Sequence, residues 1–370
     1  MTSINSDSSH TILTLDAGGT NFEFRAIRNQ KDAAPPVVLP SRSENLDTCL
    51  KNITGAFQRL KEAVGGTIHA ISFAFPGPAD YDNGIIGDLQ NLPCFRGGVP
   101  LGPILEEQFK VPVFINNDGD LFAYGEALYG LLPEVNAELA ATGSPKRFKN
   151  LLGLTFGTGF GAGIASDGRL FLGDNSAAAE IWCIRNKLDR ESYAEEGVSI
   201  RAVRLAYAEK TGQNIESVPE PIDIAAIADG KLPGNMEAAK YAFRRMGEVA
   251  GDAVANAVTM IDGLVVIGGG ITGAWRLFLP TMVDEMNREL TSVTGRGIVP
   301  RTELTVFNLE DEEQWSLFIR GQTSEIQIPG TRRTVLYDTQ KRVGVAISKL
   351  GAPRAVSLGA YAYALANLNV

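Results

Sequence analysis

Three glycine-rich turns in this chain of 370 residues each follow a short apolar run. Glycine accounts for 40 residues, and because it lacks a side chain, its backbone N–H groups can approach an anion or a flat ligand closely. Glycine shows no three-residue period, which excludes a collagen-like chain. The runs and their turns, in chain order, are Thr11–Leu15 with Gly18-Gly19, Leu151–Phe156 with Gly157–Gly163, and Leu264–Ile267 with Gly268-Gly269-Gly270.

Helical patterns alternate with these strands, which is typical of the α/β class. Apolar residues recur every three to four positions in Asp47–Val64 and Met236–Met260. The strand–turn–strand pattern of residues 12–26 recurs about 139 positions later, where Thr155 stands in the place of Asp16. The recurrence indicates duplicated α/β halves, although two similar hairpins can also arise by chance. The polar stretch Glu134–Lys149 is expected to be a loop or a domain joint.

Composition excludes several classes of protein. The net charge is −9 and no Lys/Arg run is present, so neither nucleic acid nor an anionic membrane is an expected partner. No apolar run approaches the 18 residues of a membrane span. The cysteines, Cys49, Cys94 and Cys183, form no C-x-x-C pair, which favours a reducing compartment and a cytoplasmic protein. With only His10 and His69, a His-based triad or a multi-His metal site is not expected.

The first glycine turn stands in the segment Asp16-Ala17-Gly18-Gly19-Thr20. The Thr20 hydroxyl can donate a hydrogen bond to a phosphate oxygen. The Asp16 carboxylate can hold Mg²⁺ through water, since Mg²⁺ prefers few carboxylates and keeps several waters. A plain hairpin turn is the alternative interpretation.

The second turn, Gly157–Gly163, lacks the lysine of a P-loop. It is followed by the strand residues Ile164-Ala165 rather than by the helix that a dinucleotide-binding fingerprint requires. A hairpin that grips phosphate is therefore the better functional interpretation, and a tightly packed sheet is the alternative. The third turn, Gly268–Gly270, leaves room for a purine, or it merely enters a helix.

The segment Asn116-Asn117-Asp118-Gly119-Asp120 follows a predicted strand and opens a predicted helix, Leu121–Leu128. One of its carboxylates could serve as the general base for a substrate hydroxyl. The alternative is that it only caps the helix, because Asn and Asp are favoured at that position.

Taken in this order, the four segments resemble the sugar kinases of the ROK family, within the hexokinase/actin/Hsp70 superfamily. The resemblance covers about residues 11–290 and 354–368. It implies a duplicated ribonuclease-H-like fold of two domains with a cleft between them. The smaller domain is expected to span residues 1–119 plus 353–370 and the larger one residues 120–352. A β-rich insertion is expected at about 300–350, where it could cover the active site, pair subunits or decorate an edge. Further matching segments are Phe75-Pro76-Gly77-Pro78, Gln90-Asn91-Leu92-Pro93 and Tyr124-Gly125-Glu126.

The resemblance also assigns roles. Asp118 is expected to be the catalytic base, with Asn91 and Asn117 on other sugar hydroxyls. Asp16 is expected near Mg²⁺, and ATP is expected to lie against the glycine turns, with adenosine on Gly269 and Gly270. The remaining expected phosphate ligands are Gly18, Gly19, Thr20, Gly157, Thr158 and Gly159.

Two features depart from the family. The family segment E-I-G-H becomes Glu180-Ile181-Trp182-Cys183, which retains the glutamate and loses the histidine. The family's cysteine-rich zinc loop is missing, so no zinc is expected. The segment that follows that loop still matches at Glu191. Glu180 and Glu191 are therefore expected to bind the sugar, the alternative being two solvated charges.

These features predict a cytoplasmic, homodimeric, ATP-dependent hexose kinase that acts on glucose at position 6. Fructose, mannose, allose and N-acetylhexosamines remain open as acceptors. Two other classes remain: a non-catalytic sugar sensor of the same fold, and an ATPase that acts on protein partners. Only about ten residues precede Thr11, so the helix-turn-helix of ROK repressors is not expected.

Overall fold

The computed structural model describes residues 9–17, 21–40, 44–89 and 92–368, which form two compact units. Unit 1 comprises the described residues up to Gly130, together with Gly163–Ala178 and those from Leu350 onward. Unit 2 comprises Leu131–Ala162 and Ala179–Lys349.

The elements alternate along the chain as an α/β protein requires. In the described part of the chain, no helix combines the length and the apolar character needed to cross a bilayer. The strands are β1 Ile12–Ala17, β2 Asn21–Arg28, β3 Lys31–Asp32, β4 Val37–Pro40, β5 Ala70–Ala74, β6 Ala79–Asp80, β7 Ile85–Ile86, β8 Val113–Asn116, β9 Asn150–Phe156, β10 Phe160–Ser166, β11 Arg169–Leu170, β12 Leu264–Gly268, β13 Glu289–Thr291, β14 Ile298–Pro300, β15 Thr305–Asn308, β16 Thr323–Gln327, β17 Thr334–Asp338 and β18 Arg342–Ile347. The helices are α1 Leu46–Val64, α2 Leu101–Phe109, α3 Asp118–Tyr129, α4 Leu131–Ala141, α5 Ile200–Thr211, α6 Pro221–Ala228, α7 Met236–Ile261, α8 Trp275–Met286, α9 Glu312–Arg320 and α10 Ala352–Leu368.

Five strands of each six-stranded sheet follow the same order, which confirms the duplicated α/β fold. The first runs β3-β2-β1-β5-β8, with β4 beside β2, and the second runs β11-β10-β9-β12-β18-β15. In the first sheet β1 pairs antiparallel with β2 and parallel with β5, and β5 pairs parallel with β8. In the second sheet β12 pairs parallel with both β9 and β18. The carboxyl ends of the parallel strands therefore lie together at one edge of each sheet.

Helix α1 covers the first sheet with one apolar face. Its buried residues recur at helical spacing and include Ile53, Phe57 and Leu60. The Phe57 ring packs edge-on to Phe24, with the ring centroids 5.1 Å apart. Asn45 caps the start of the helix by accepting a hydrogen bond from Thr48 N, and Gly65 ends it in the left-handed conformation. The predicted helix Asp47–Val64 is thus confirmed.

Helices α3 and α10 cross so closely that only glycine fits at the crossing. A Cβ atom on Gly125 would lie within 3.0 Å of the Ala355 carbonyl, and one on Gly359 would lie within 3.0 Å of the Leu121 carbonyl. This packing holds α3 in unit 1 with the C-terminal helix. The first part of unit 1 therefore extends to Gly130 rather than to the expected boundary at residue 119.

Two expectations from the sequence were wrong. The stretch expected to be a loop at Glu134–Lys149 begins inside α4, whose buried stripe includes Leu132, Val135 and Leu139 and starts before the polar residues. The expected insertion at about 300–350 contains two strands of the second sheet, β15 and β18, which pair with each other in parallel. The peripheral part of this region is the hairpin β16–β17, which is a two-stranded sheet of its own.

Candidate active site

The carboxyl-end edge of the first sheet carries the acidic groups of unit 1. Asp16 is aligned with Ala74 of β5, and Ala74 is aligned with Asn116 of β8. With neighbouring strands about 4.8 Å apart, Asp16 and Asn116 are separated by roughly 10 Å along this edge. Asn117 and Asp118 follow at once, so the fold brings together three of the residues expected at the site.

Asn117 is the N-cap of α3, so the alternative interpretation of this segment, that it caps a helix, is confirmed for this residue. Its Oδ1 accepts a hydrogen bond from Gly119 N at 2.8 Å, and the Asp118 carboxylate accepts from the same N–H at 3.0 Å. The cap uses the oxygen of the Asn117 amide, and its NH₂ group retains its donors for a ligand. Asp118 is exposed, so its carboxylate is accessible to a small solute.

Two carboxyl groups at this edge, those of Asp16 and Asp118, have raised pKa values. The pKa of Asp16 rises to about 6, first because of burial and then because of the negative charges of Asp118 and Glu23. Arg25 opposes this rise in the pKa of Asp16, but its guanidinium is already paired with Glu23 and with Asp32. Neighbouring protein also displaces enough water to raise the pKa of Asp118. A carboxylate of this kind suits proton acceptance or a divalent cation.

In unit 2 the second glycine turn joins β9 to β10, and the strand that follows it confirms that it is not a dinucleotide-binding fingerprint. Gly157 N donates to Gly159 O at 3.0 Å, and Gly157 O accepts from Ile200 N at 2.8 Å. Phe160 N donates to the Glu195 carboxylate at 3.0 Å. These bonds hold the turn against the start of α5.

The third glycine turn lies beside the second. Gly268 is aligned with Thr155 of β9, and Ile271 N donates to Phe156 O at 3.2 Å. Gly269 has a φ of +99°, and a Cβ atom there would lie within 3.0 Å of the Phe156 backbone. The two turns therefore expose bare backbone at one edge of the second sheet.

A cavity of about 560 Å³ opens at Thr158, which is itself exposed. This volume is in the range of ligand pockets. Arg204 lies against the backbone, donating to Ile215 O and Val218 O at 3.1 and 3.0 Å. Arg201 and Arg204 were not among the predicted site residues, although they stand three positions apart in α5, directly after the Ser199 cap. The cavity is lined by Thr158, Ile200, Arg201, Arg204, Ile215 and Glu216.

The two glutamates expected to bind sugar are exposed in unit 2. Glu180 precedes a short 3₁₀ turn, and its carboxylate accepts a hydrogen bond from the Trp182 indole. Cys183 Sγ lies 3.0 Å from Glu180 O. Glu191 lies in a loop, where its N–H donates to Asp189 at 3.1 Å.

Four residues expected at the site, Gly18, Gly19, Thr20 and Asn91, lie outside the described residues. Among the residues that are described, no group of three or more His, Cys, Asp or Glu side chains could hold a metal ion. This leaves Asp16 as a single carboxylate with two acidic neighbours, a donor set of the kind that Mg²⁺ accepts together with water and phosphate oxygens.

The model of the ROK family matches residues 12–312. The chain belongs to the ROK family. A solved structure described as glucokinase from Parabacteroides distasonis is 52% identical over 99% of both chains, with a TM-score of 0.88. A ROK glucokinase from Streptomyces griseus, solved with glucose and AMPPNP, shares the fold at 18% identity and a TM-score of 0.62, over 95% of this chain and 98% of that one. The N-acetyl-D-glucosamine kinase of Vibrio cholerae is 25% identical over 296 residues, which are 75% of this ROK chain and 90% of the relative.

Proposed function

We propose that this ROK protein transfers the γ-phosphoryl group of ATP to a hexose hydroxyl, with the 6-hydroxyl of glucose as the first candidate acceptor. The proposal rests chiefly on one observation, the exposed Asp118 carboxylate with a raised pKa at the strand edge that also carries Asp16. The family membership and the relatives named as kinases support a sugar phosphotransferase.

In the proposed reaction Asp118 accepts the proton of the sugar hydroxyl. The hydroxyl oxygen then forms a bond to the γ-phosphorus, and the bond from that phosphorus to the bridging β-phosphate oxygen breaks, so that ADP leaves. A raised pKa favours Asp118 as the base, because a proton acceptor works best when its pKa approaches the operating pH. Asn117 orients the sugar through its NH₂ group, and Glu180 and Glu191 accept hydrogen bonds from other hydroxyls.

Thr158 and the bare backbone of the two glycine turns are proposed to bind the phosphates and adenosine. The close approach of Gly269 to Phe156 leaves no room for a side chain, as a backbone cradle for a ligand requires. Asp16 would hold Mg²⁺, which supplies positive charge to the transferring phosphoryl group when bound. The acidic neighbours of Asp16 fit this role, since a cation relieves their mutual repulsion.

The test is ADP release with Mg-ATP and a panel of sugars: glucose, N-acetylglucosamine, mannose, allose and fructose. N-acetylglucosamine is the second candidate acceptor, since the kinase of Vibrio cholerae is named for it. Turnover of at least one sugar is expected. If no sugar is phosphorylated while sugars raise the melting temperature, the protein is a sugar sensor and the proposed activity is wrong.

Replacing the proposed base gives a sharper test. Asp118→Asn should lower kcat by about 10²-fold or more with little change in sugar affinity, as expected when a general base is lost. The matched control is Glu107→Gln, which removes an exposed carboxylate on α2 of unit 1 that pairs with Lys110. Near wild-type turnover by Asp118→Asn would rule out its role as the base.

We also propose that the enzyme works in the cytoplasm as a homodimer, as the resemblance to the family implies. The β16–β17 hairpin, with Ile326, Val335 and Tyr337 about half exposed, is the candidate subunit contact. Light scattering of the purified protein should give a mass near 79 kDa, twice the 39.6 kDa chain. A mass near 40 kDa would contradict the dimer.

A further inference from the structure

Two aromatic side chains, Trp182 and Tyr193, stand exposed beside Glu180 in unit 2. Their exposed fractions are 42% and 39%. The rings meet edge to face, with centroids 5.7 Å apart and planes at 90°. We call this pair the aromatic corner. Aromatic rings that remain exposed although they carry large apolar area are typical of binding sites.

Hydrogen bonds fix the polar end of each ring. The indole N–H of Trp182 donates to the Glu180 carboxylate. The hydroxyl of Tyr193 donates to Glu196 at 2.7 Å, and Glu196 in turn pairs with Arg201. Each ring therefore has a defined orientation, and the part of its surface outside the edge-to-face contact remains for apolar contact with a ligand.

The backbone beneath the aromatic corner is held in place as well. Tyr193 forms a β-bridge with Arg185, and Ala194 N donates to Ile184 O at 2.7 Å. Between these two segments, Lys187 binds Glu248 of α7 at 2.8 Å and Glu285 of α8 at 2.6 Å. The loop is thus anchored to two helices. Because it is ordered before a ligand arrives, binding costs less conformational entropy of the loop.

This arrangement matches the chemistry of a pyranose. One face of such a ring presents C–H groups, which pack against an aromatic surface, whereas its rim presents hydroxyls. Glu180 offers an exposed carboxylate at the edge of the indole and can accept hydrogen bonds from those hydroxyls. Apolar contact and charged acceptor therefore occur side by side.

We propose that the aromatic corner binds the C–H face of the acceptor sugar and that the Trp182 indole N–H orients Glu180 toward its hydroxyls. Trp182 and Tyr193 are then specificity-determining residues, with Trp182 also a positioning residue for Glu180. This inference rests on the proposed sugar kinase activity. It adds that the aromatic corner selects acceptor sugars that present a pyranose ring.

Kinetics of single variants test the inference, with the best sugar of the panel and Mg-ATP. Trp182→Ala should raise the KM for sugar at least 10-fold, with kcat within about threefold of wild type and the KM for ATP unchanged. Tyr193→Ala should act in the same direction, whereas Tyr193→Phe, which retains the ring, should stay within about twofold. Leu188→Ala is the control, since Leu188 is an exposed apolar residue of the same loop.

The positioning role has its own readout. Trp182→Phe retains an aromatic face but removes the N–H that binds Glu180, so its sugar KM should lie between those of wild type and Trp182→Ala. In Glu180→Ala, which leaves no side-chain acceptor for the indole N–H, the further change Trp182→Phe should have a smaller effect than it has alone, because the two residues act through one hydrogen bond. Full additivity would overturn the positioning role.

Binding without turnover provides the second measurement. Sugar added without nucleotide should change the tryptophan fluorescence of the wild-type protein, and that change should be lost in Trp182→Phe although calorimetry still detects binding. If the wild type phosphorylates a sugar but Trp182→Ala keeps its KM within twofold, the aromatic corner is not part of the sugar site. If the wild type phosphorylates none, the proposed function fails first.

Discussion

Replacing Asp16 by asparagine should make the protein more stable and less active at the same time. In the folded chain the pKa of Asp16 is about 6, against a value of 3.8 for a free side chain. A carboxyl whose pKa is raised by folding favours the folded state at low pH, and this contribution is lost as the pH rises through the folded pKa. At pH 8 the ionised Asp16 therefore lowers the free energy of unfolding.

The size of this effect follows from the shift of about two pH units. At about 1.4 kcal/mol per unit, an ionised Asp16 costs about 3 kcal/mol at pH 8, about half of that at pH 5, and under about 1 kcal/mol near pH 4. An asparagine side chain at this position carries no charge at any of these pH values. Asp16→Asn should therefore raise the free energy of unfolding by up to about 3 kcal/mol at pH 8, and the gain should shrink as the pH falls.

Urea unfolding followed by circular dichroism at pH 8 and pH 5, with a chelator present, measures this difference. The dichroism signal is needed because Asp16 lies in unit 1, whereas Trp182, Trp275 and Trp315 all lie in unit 2. The same variant should lose most Mg-ATP-dependent turnover. A variant that is less stable than wild type at pH 8, or whose gain is equal at both pH values, would refute the electrostatic argument.

Two glycine pairs provide further predictions. Gly359→Ala should lower the free energy of unfolding by about 3 kcal/mol or more, because its Cβ would overlap the Leu121 carbonyl, whereas Gly55→Ala in α1 has open space and should raise it by about 0.5–1 kcal/mol; equal urea midpoints would contradict this. Gly269→Ala should raise the KM for ATP at least 10-fold and lower stability, because its Cβ would meet the Phe156 backbone. Gly270→Ala has open space in the unliganded chain, so it should impair ATP binding without a loss of stability, and unchanged ATP affinity would place adenosine elsewhere.

Periodic apolar patterns predicted the elements whose burial is one-sided. Helix α1 begins one residue before its predicted start, and α7 ends one residue after its predicted end. The helix α4 escaped prediction because its buried stripe is divided: Leu131 and Leu132 stand before the polar window, and only Val135 and Leu139 stand inside it. The strands β15 and β18 lie in the region that was expected to be rich in β-strands, but their place in the second sheet was not predicted, because parallel pairing between distant segments leaves no local signal.

For the candidate site, the order of motifs predicted which residues stand at strand ends, and the register of β1, β5 and β8 then brought Asp16 and Asp118 to one edge. Trp182 and Tyr193 were missed as binding residues. Each is an isolated aromatic in a loop, and only the folded hairpin between Ile184 and Ala194 brings the two rings together. Two side chains that meet only through the conformation of a loop have no regular spacing in the sequence, so a sequence pattern cannot detect them.

The shared strand plan of the two sheets explains how one architecture supports opposite electrostatic tasks. In the first sheet Asp16 stands near the end of β1 and β8 leads to Asp118, so that edge accumulates negative charge. In the second sheet the equivalent strand β9 carries Thr155 where β1 carries Asp16, and β12 ends in glycines. Phosphate oxygens would be repelled by carboxylates but can bind backbone N–H groups. The duplicated strand order therefore gives the two sheets corresponding edges. The residues at the strand ends make the first edge acidic, which suits a hydroxyl proton and a cation. They leave the second edge as bare backbone, which suits an anion.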